Sequence, residues 1–249
     1  MDNKKVVTRR DFLVGAGAAA AGVALAGTGL GLFTPKAVAK NGALPEYPWV
    51  DHFSKPLDVE AVRARGEERY FAGEGCAEAA FGAVLEALGE PFSLVPSQIL
   101  NFGKGGGVGW GTLCGAVNGA AAAVSLVFGR EQATTVIVNE LMHWYSQTAL
   151  PLTKGVSSVA GTPLCHASIS NWVKASGKKA SERGPRCAAL TGDVAAQAAL
   201  YMNEVLAGTF VPVFEMSAET QACFDCHTKV ADDTLGKMDC LACHDDHTK

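Results

Sequence analysis

The residues best suited to chemistry stand at the end of the chain. Cys223-Phe224-Asp225-Cys226-His227 and Cys240-Leu241-Ala242-Cys243-His244 are two copies of C-x-x-C-H. This spacing sets two thiols where each forms a thioether to one vinyl group of the same porphyrin. The adjoining histidine then ligates the iron from the proximal side. A single zinc knuckle would use the same four thiols but leave both histidines unexplained. The motifs therefore predict two covalently bound c-type haems, with Cys223, Cys226, Cys240 and Cys243 as anchors and His227 and His244 as proximal ligands. Only residues 228–239 separate the motifs. That tether reaches at most ~43 Å when fully extended, so the two porphyrins are expected to be close neighbours.

Each iron still needs a sixth ligand. The remaining histidines are His52, His143, His166 and His247, and Met216 and Met238 lie nearby in sequence. His247 follows His244 too closely to reach the distal face of its own haem, so it suits a neighbouring haem or a second subunit. His143 falls in a predicted helix beside Trp144, which could present it rigidly to a haem face. His52 sits on a proline-bounded arm that could cross a dimer, and His166 adjoins Cys165 and is assigned to the cysteine site. The expectation is bis-histidine haems, with His247, His143 and His52 as candidate distal ligands and one of them supplied by a partner subunit.

Four cysteines remain: Cys76, Cys114, Cys165 and Cys187. In an exported protein, two disulfides would account for them. A zinc site would too, although the paired spacing of structural zinc is missing. The third reading is an iron–sulfur cluster with four thiolate ligands. Each cysteine falls at or near the predicted start of a helix, where backbone N–H groups and the helix dipole favour a thiolate and an anionic group.

The elements that must position these residues read as all-α: a helical domain followed by a mostly irregular C-terminal dihaem-binding tail. Residues 40–57 form an extended arm, broken by Pro45, Pro48 and Pro56 and anchored by Tyr47, Trp49 and Phe53. Helices are predicted over 58–71, 74–89, 113–129 and 131–148, from Cys165 to about Ala175, and from Cys187 to about Leu206. The helical four-cysteine redox domain spans 58–210 and the dihaem tail 211–249. The glycine-rich stretch 103–111 lacks both a preceding strand and a closing Gly-Lys-Ser/Thr. It therefore reads as a loop for close backbone approach, not a phosphate cradle.

Residues 1–39 read as a twin-arginine signal peptide. Arg9-Arg10 is followed by Phe12-Leu13, an uncharged run to residue 33, and Ala37-Val38-Ala39 as a cleavage site. The expected mature protein starts near Lys40, is periplasmic, and keeps no stable membrane anchor. This route exports folded proteins, which hints at a cofactor inserted before export. The net charge of −4 with scattered cations gives no case for nucleic acid.

Gly75-Cys76-Ala77, the glycine-rich lead into Leu113-Cys114-Gly115-Ala116, Cys165-His166 and Arg186-Cys187 resemble the redox-active family C_GCAxxG_C_C. The last glycine of its first motif is Ala80 here. With the twin-arginine leader and the doubled C-x-x-C-H, the whole mature chain resembles the split-Soret cytochromes c of sulfate-reducing bacteria. That resemblance implies a homodimer with two stacked haems per subunit, an axial histidine crossing between subunits, and an iron–sulfur site in the N-terminal domain. The function expected is periplasmic electron transfer between redox partner proteins. The alternative is a small haem reductase of an oxidised nitrogen or sulfur species with an open axial position. Axial ligation separates the two, because bis-histidine iron passes electrons but binds no substrate readily.

Overall fold

A computed structural model describes residues 44–228 and 236–245. The leader, the cleavage site and His247 lie outside the described residues. The helices are α1 (Val59–Phe71), α2 (Cys76–Leu88), α3 (Gly115–Phe128), α4 (Gln132–Gln147), α5 (Cys165–Ser176), α6 (Gly184–Leu206) and α7 (Ala218–His227). Short 3-10 turns cover Val50–His52, Phe92–Leu94, Ser97–Gly103, Ala180–Glu182 and Cys240–Ala242. Strands β1 (Ala149–Leu150) and β2 (Ser158–Val159) form a small antiparallel ladder with Ala149 opposite Val159. The fold is mostly helical, as the periodicity predicts. None of the described helices is long and apolar enough to cross a membrane.

The helix ends follow local chemistry. The Asp58 side chain accepts from the Ala61 N–H at 3.0 Å and caps α1. Helix α2 stops at Gly89, whose φ of +73° suits glycine. Pro185 sits in the first turn of α6, where its missing N–H costs nothing.

Small residues let the helices approach closely. Helix α2 runs through the centre, with Ala77, Ala79, Ala80, Phe81, Ala83, Val84 and Leu85 all buried. A Cβ on Gly119 of α3 would stand 2.0 Å from the Ala77 carbonyl oxygen, and one on Gly192 of α6 would stand 2.4 Å from the Arg63 carbonyl oxygen. The α2–α3 and α1–α6 crossings therefore depend on these two glycines. Ala80 is fully buried in the core cluster, so its methyl is accommodated where the family motif has glycine.

The arm packs onto this bundle. Trp49, Phe53 and Leu57 are buried, and Trp49 meets Phe92 edge-on with ring centroids 5.7 Å apart. Asn203 of α6 locks the end of the arm by accepting from the Leu57 N–H at 2.7 Å and donating to its carbonyl at 2.9 Å.

Candidate functional site

The four cysteines of the helical domain begin four different helices. Cys76 is the first residue of α2, Cys114 caps α3, Cys165 is the first residue of α5, and Cys187 lies in the first turn of α6. All four line one cavity of ≈ 400 Å³, together with Tyr70, Tyr145, Ser168 and Arg186.

Local structure explains the convergence. Leu113 and Leu164 form an isolated antiparallel bridge, and the residue after each is a site cysteine. The Cys114 N–H donates to the Pro163 carbonyl at 2.9 Å and the Cys165 N–H to the Thr112 carbonyl at 2.7 Å. Two helix starts are thereby fixed side by side. The glycine loop closes over them. Gly105, Gly106, Gly107, Gly109 and Gly111 all have positive φ, and so does Val108 at 43°. A Cβ on Gly106 would stand 2.8 Å from Cys165 Cβ, and one on Gly115 would stand 2.3 Å from Cys76 Sγ. These glycines clear the space that the sulfurs and the loop backbone occupy. The loop thus serves the close approach that its composition predicts.

No two of the eight cysteines are joined by a disulfide. Burial pushes the Cys76 and Cys165 thiols up to about 12, and the neighbouring Cys114 adds to the effect at both. Burial also raises Cys187, opposed by the adjacent Arg186 guanidinium. Burial thus disfavours bare thiolates at these three positions, and a bound cationic metal would compensate their negative charge. Backbone N–H groups of Gly105 and Ala77 already act on Cys76 in the opposite direction. Soft thiolate ligands, helix N-termini and glycine-cleared walls together fit an iron–sulfur group.

His166 departs from its assignment. It is exposed, it is not among the residues that line the cavity, and its Cβ lies against Gly111. One position along a helix turns a side chain by about 100° from its neighbour, which carries His166 away from the Cys165 site.

The tail docks on α4. Buried Glu140 accepts from the Val213 and Phe214 N–H groups through Oε1, at 2.9 and 2.7 Å. His143, half-buried and one turn further, packs its ring 5.4 Å from that of Phe214. Lys237 donates to Asn139 Oδ1 at 2.9 Å and lies over the Phe214 ring. The first C-x-x-C-H forms the end of α7, which Ser217 caps by accepting from the Thr220 N–H at 3.1 Å. The second falls on the 3-10 turn Cys240–Ala242 and the residues after it. Helix α7 packs against the 3-10 turn Cys240–Ala242, with the Cys223 and Cys240 side chains near one another, so the two motifs meet. Cys226, Cys243 and His244 are exposed, while Cys223, Cys240 and His227 are half-buried. His52 is exposed on the arm.

Glu140, Ser168 and Tyr145 were not legible as site residues. Glu140 alone carried a signal: a carboxylate on the same helical stripe as the buried Ile137 and Leu141 needs donors.

Comparison with known proteins follows the same division. The family described as "Putative redox-active protein (C_GCAxxG_C_C)" matches residues 75–201, which include all four cavity cysteines. The chain is 34% identical to split-Soret cytochrome c of Desulfovibrio desulfuricans (strain ATCC 27774 / DSM 6949 / MB) over 96% of its own length and 94% of that protein. It also superposes, with a TM-score of 0.69 and 34% identity, on a solved structure of split-Soret cytochrome c from Desulfovibrio desulfuricans ATCC 27774, described as containing a novel iron centre. The match covers 77% of this chain and 89% of that one. The chain belongs to the C_GCAxxG_C_C redox family and, across nearly its whole length, to the split-Soret cytochromes c.

Proposed function

We propose that this cytochrome c is a periplasmic electron carrier with two haems per chain and an iron–sulfur cluster held by Cys76, Cys114, Cys165 and Cys187. The observation that carries the reading is the convergence of four helix-start cysteines on one cavity, in a chain whose two C-x-x-C-H segments pack against each other. Among the described residues, no three His, Cys, Asp or Glu side chains gather tightly enough for a single metal ion. The iron centre described in the related structure supports the same reading.

The chain's residues have defined tasks. The four thiolates hold the cluster, which when bound supplies one-electron redox capacity. The glycine loop and the helix starts shield it and offer N–H groups. Cys223, Cys226, Cys240 and Cys243 anchor the haems, with His227 and His244 proximal. His143 is the distal candidate favoured by position, because it lies on the α4 face that carries the tail. His52 and His247 are the candidates for supply within or across a homodimer. Export by the twin-arginine route accommodates a domain folded around its cluster, with the haem tail finished outside.

Optical spectra of the purified native protein, oxidised and reduced, test the electron-carrier reading. Low-spin bands from both haems, unchanged by added small ligands, are expected. A five-coordinate, ligand-binding iron would instead make the protein a small haem reductase.

A further inference from the structure

Among the described residues, two buried donor atoms on the cavity wall, the Tyr145 hydroxyl and Arg186 Nε, form no well-aligned hydrogen bond. Tyr145 of α4 is fully buried, and its hydroxyl lies beside the Cys114 thiol and the Ser168 hydroxyl without completing a hydrogen bond to either. Arg186 of α6 is 7% exposed. Its Nη2 donates to Ser168 Oγ at 2.7 Å, while its Nε is unpaired and its guanidinium lies beside the Cys187 thiol. Both residues line the four-cysteine cavity. Folded proteins seldom leave buried donors unsatisfied. Here two of them stand on separate helices, beside two different cysteines of one site.

We infer that Tyr145 and Arg186 are the hydrogen-bond donors that set the reduction potential of the group held by the four cysteines, with Tyr145 O–H acting at Cys114 and Arg186 N–H at Cys187. The inference rests on the iron–sulfur reading above. One-electron reduction by an external donor adds negative charge that is shared by the ligating sulfurs. Donors aimed at those sulfurs stabilise the reduced form more than the oxidised form, so they raise the potential. The O–H and N–H bonds stay intact and no proton is transferred. The two are positioning residues: they act through the ligands.

The test is an EPR-monitored redox titration of the full haem-loaded protein and of its Tyr145→Phe and Arg186→Lys variants, with dithionite as reductant and the haem potentials as internal reference. Both variants should keep non-haem iron and acid-labile sulfide. Their reduced-to-oxidised ratio at fixed potential should fall about tenfold, a downward shift of ~59 mV for one electron, with the haems unmoved. In the unmodified protein, Fe–S stretching bands should shift in D₂O, and Tyr145→Phe should remove part of that shift. An unchanged potential in variants that retain the group overturns the inference alone. Loss of the group from both variants also overturns it, because donors that only tune are dispensable for binding. Absence of labile sulfide from the unmodified protein overturns the inference and the reading beneath it.

Discussion

On the proposed reading, Gly115→Ala separates the four-cysteine site from the C-x-x-C-H motifs with one methyl group. The added Cβ would stand 2.3 Å from Cys76 Sγ, 2.6 Å from the Gly103 carbonyl oxygen and 3.2 Å from the Ala77 nitrogen. Ordinary contact begins at 3.4 Å, so the sulfur or the helix start must move by ~1 Å. A binding site tolerates only about 0.5 Å of misplacement in its ligands. The global cost is smaller, about 1–3 kcal/mol for overpacking, partly offset by the better helix propensity of alanine, up to ~1 kcal/mol. The variant should therefore fold and keep both haems, because the C-x-x-C-H motifs lie on α7 and the 3-10 turn beyond it. It should lose most of its non-haem iron and labile sulfide. The assay is iron, sulfide and haem per chain on anaerobically purified protein. Full sulfide content in Gly115→Ala would refute the argument that this glycine clears the Cys76 position.

Other expectations follow from the same contacts. Glu140→Ala removes the acceptor for two backbone N–H groups of the tail, at about 1.5–3 kcal/mol for each charge-assisted bond. Limited proteolysis should then cut between residues 207 and 217 far faster, with Glu140→Gln intermediate. Gly119→Ala drives a methyl into the Ala77 carbonyl at 2.0 Å and should cost about 3 kcal/mol or more in thermal unfolding, since backbone cannot swing aside. Hydrogen bonds from Arg65, followed by burial working against them, leave the Glu86 carboxyl below its ordinary value of 4.5. Its contribution to stability is therefore present above that value and fades as pH falls through the lower folded value. Glu86→Gln should flatten the acid limb of a stability–pH profile, though only slightly, because the pair is partly exposed.

The helix starts were legible because capping and breaking residues are local. Asp58, Gly89 and Pro185 act within a turn of themselves, and the cysteines could be placed at helix beginnings from the same signals. The convergence of those beginnings depends on contacts distant in sequence. The Leu113–Leu164 bridge joins segments with no shared pattern, and Tyr145 reads as an ordinary member of the Leu141 stripe. Helix α7 interrupts a tail whose composition reads as mostly irregular, and its one local signal is the Ser217 cap. The misassignment of His166 arose from treating adjacency in sequence as adjacency in space, which helical geometry breaks at a single step.

The central claim is that one chain holds two covalent haems at its tail and a separate iron–sulfur cluster at four helix starts. The most direct measurement is the ratio of total iron, covalently bound haem and acid-labile sulfide per chain, on fresh anaerobic protein. The account predicts two haems, iron in excess of haem iron, and labile sulfide that disappears in Cys114→Ser while the haems remain. Iron equal to haem iron, with no sulfide and with Cys76, Cys114, Cys165 and Cys187 paired as disulfides in the native protein, would contradict it.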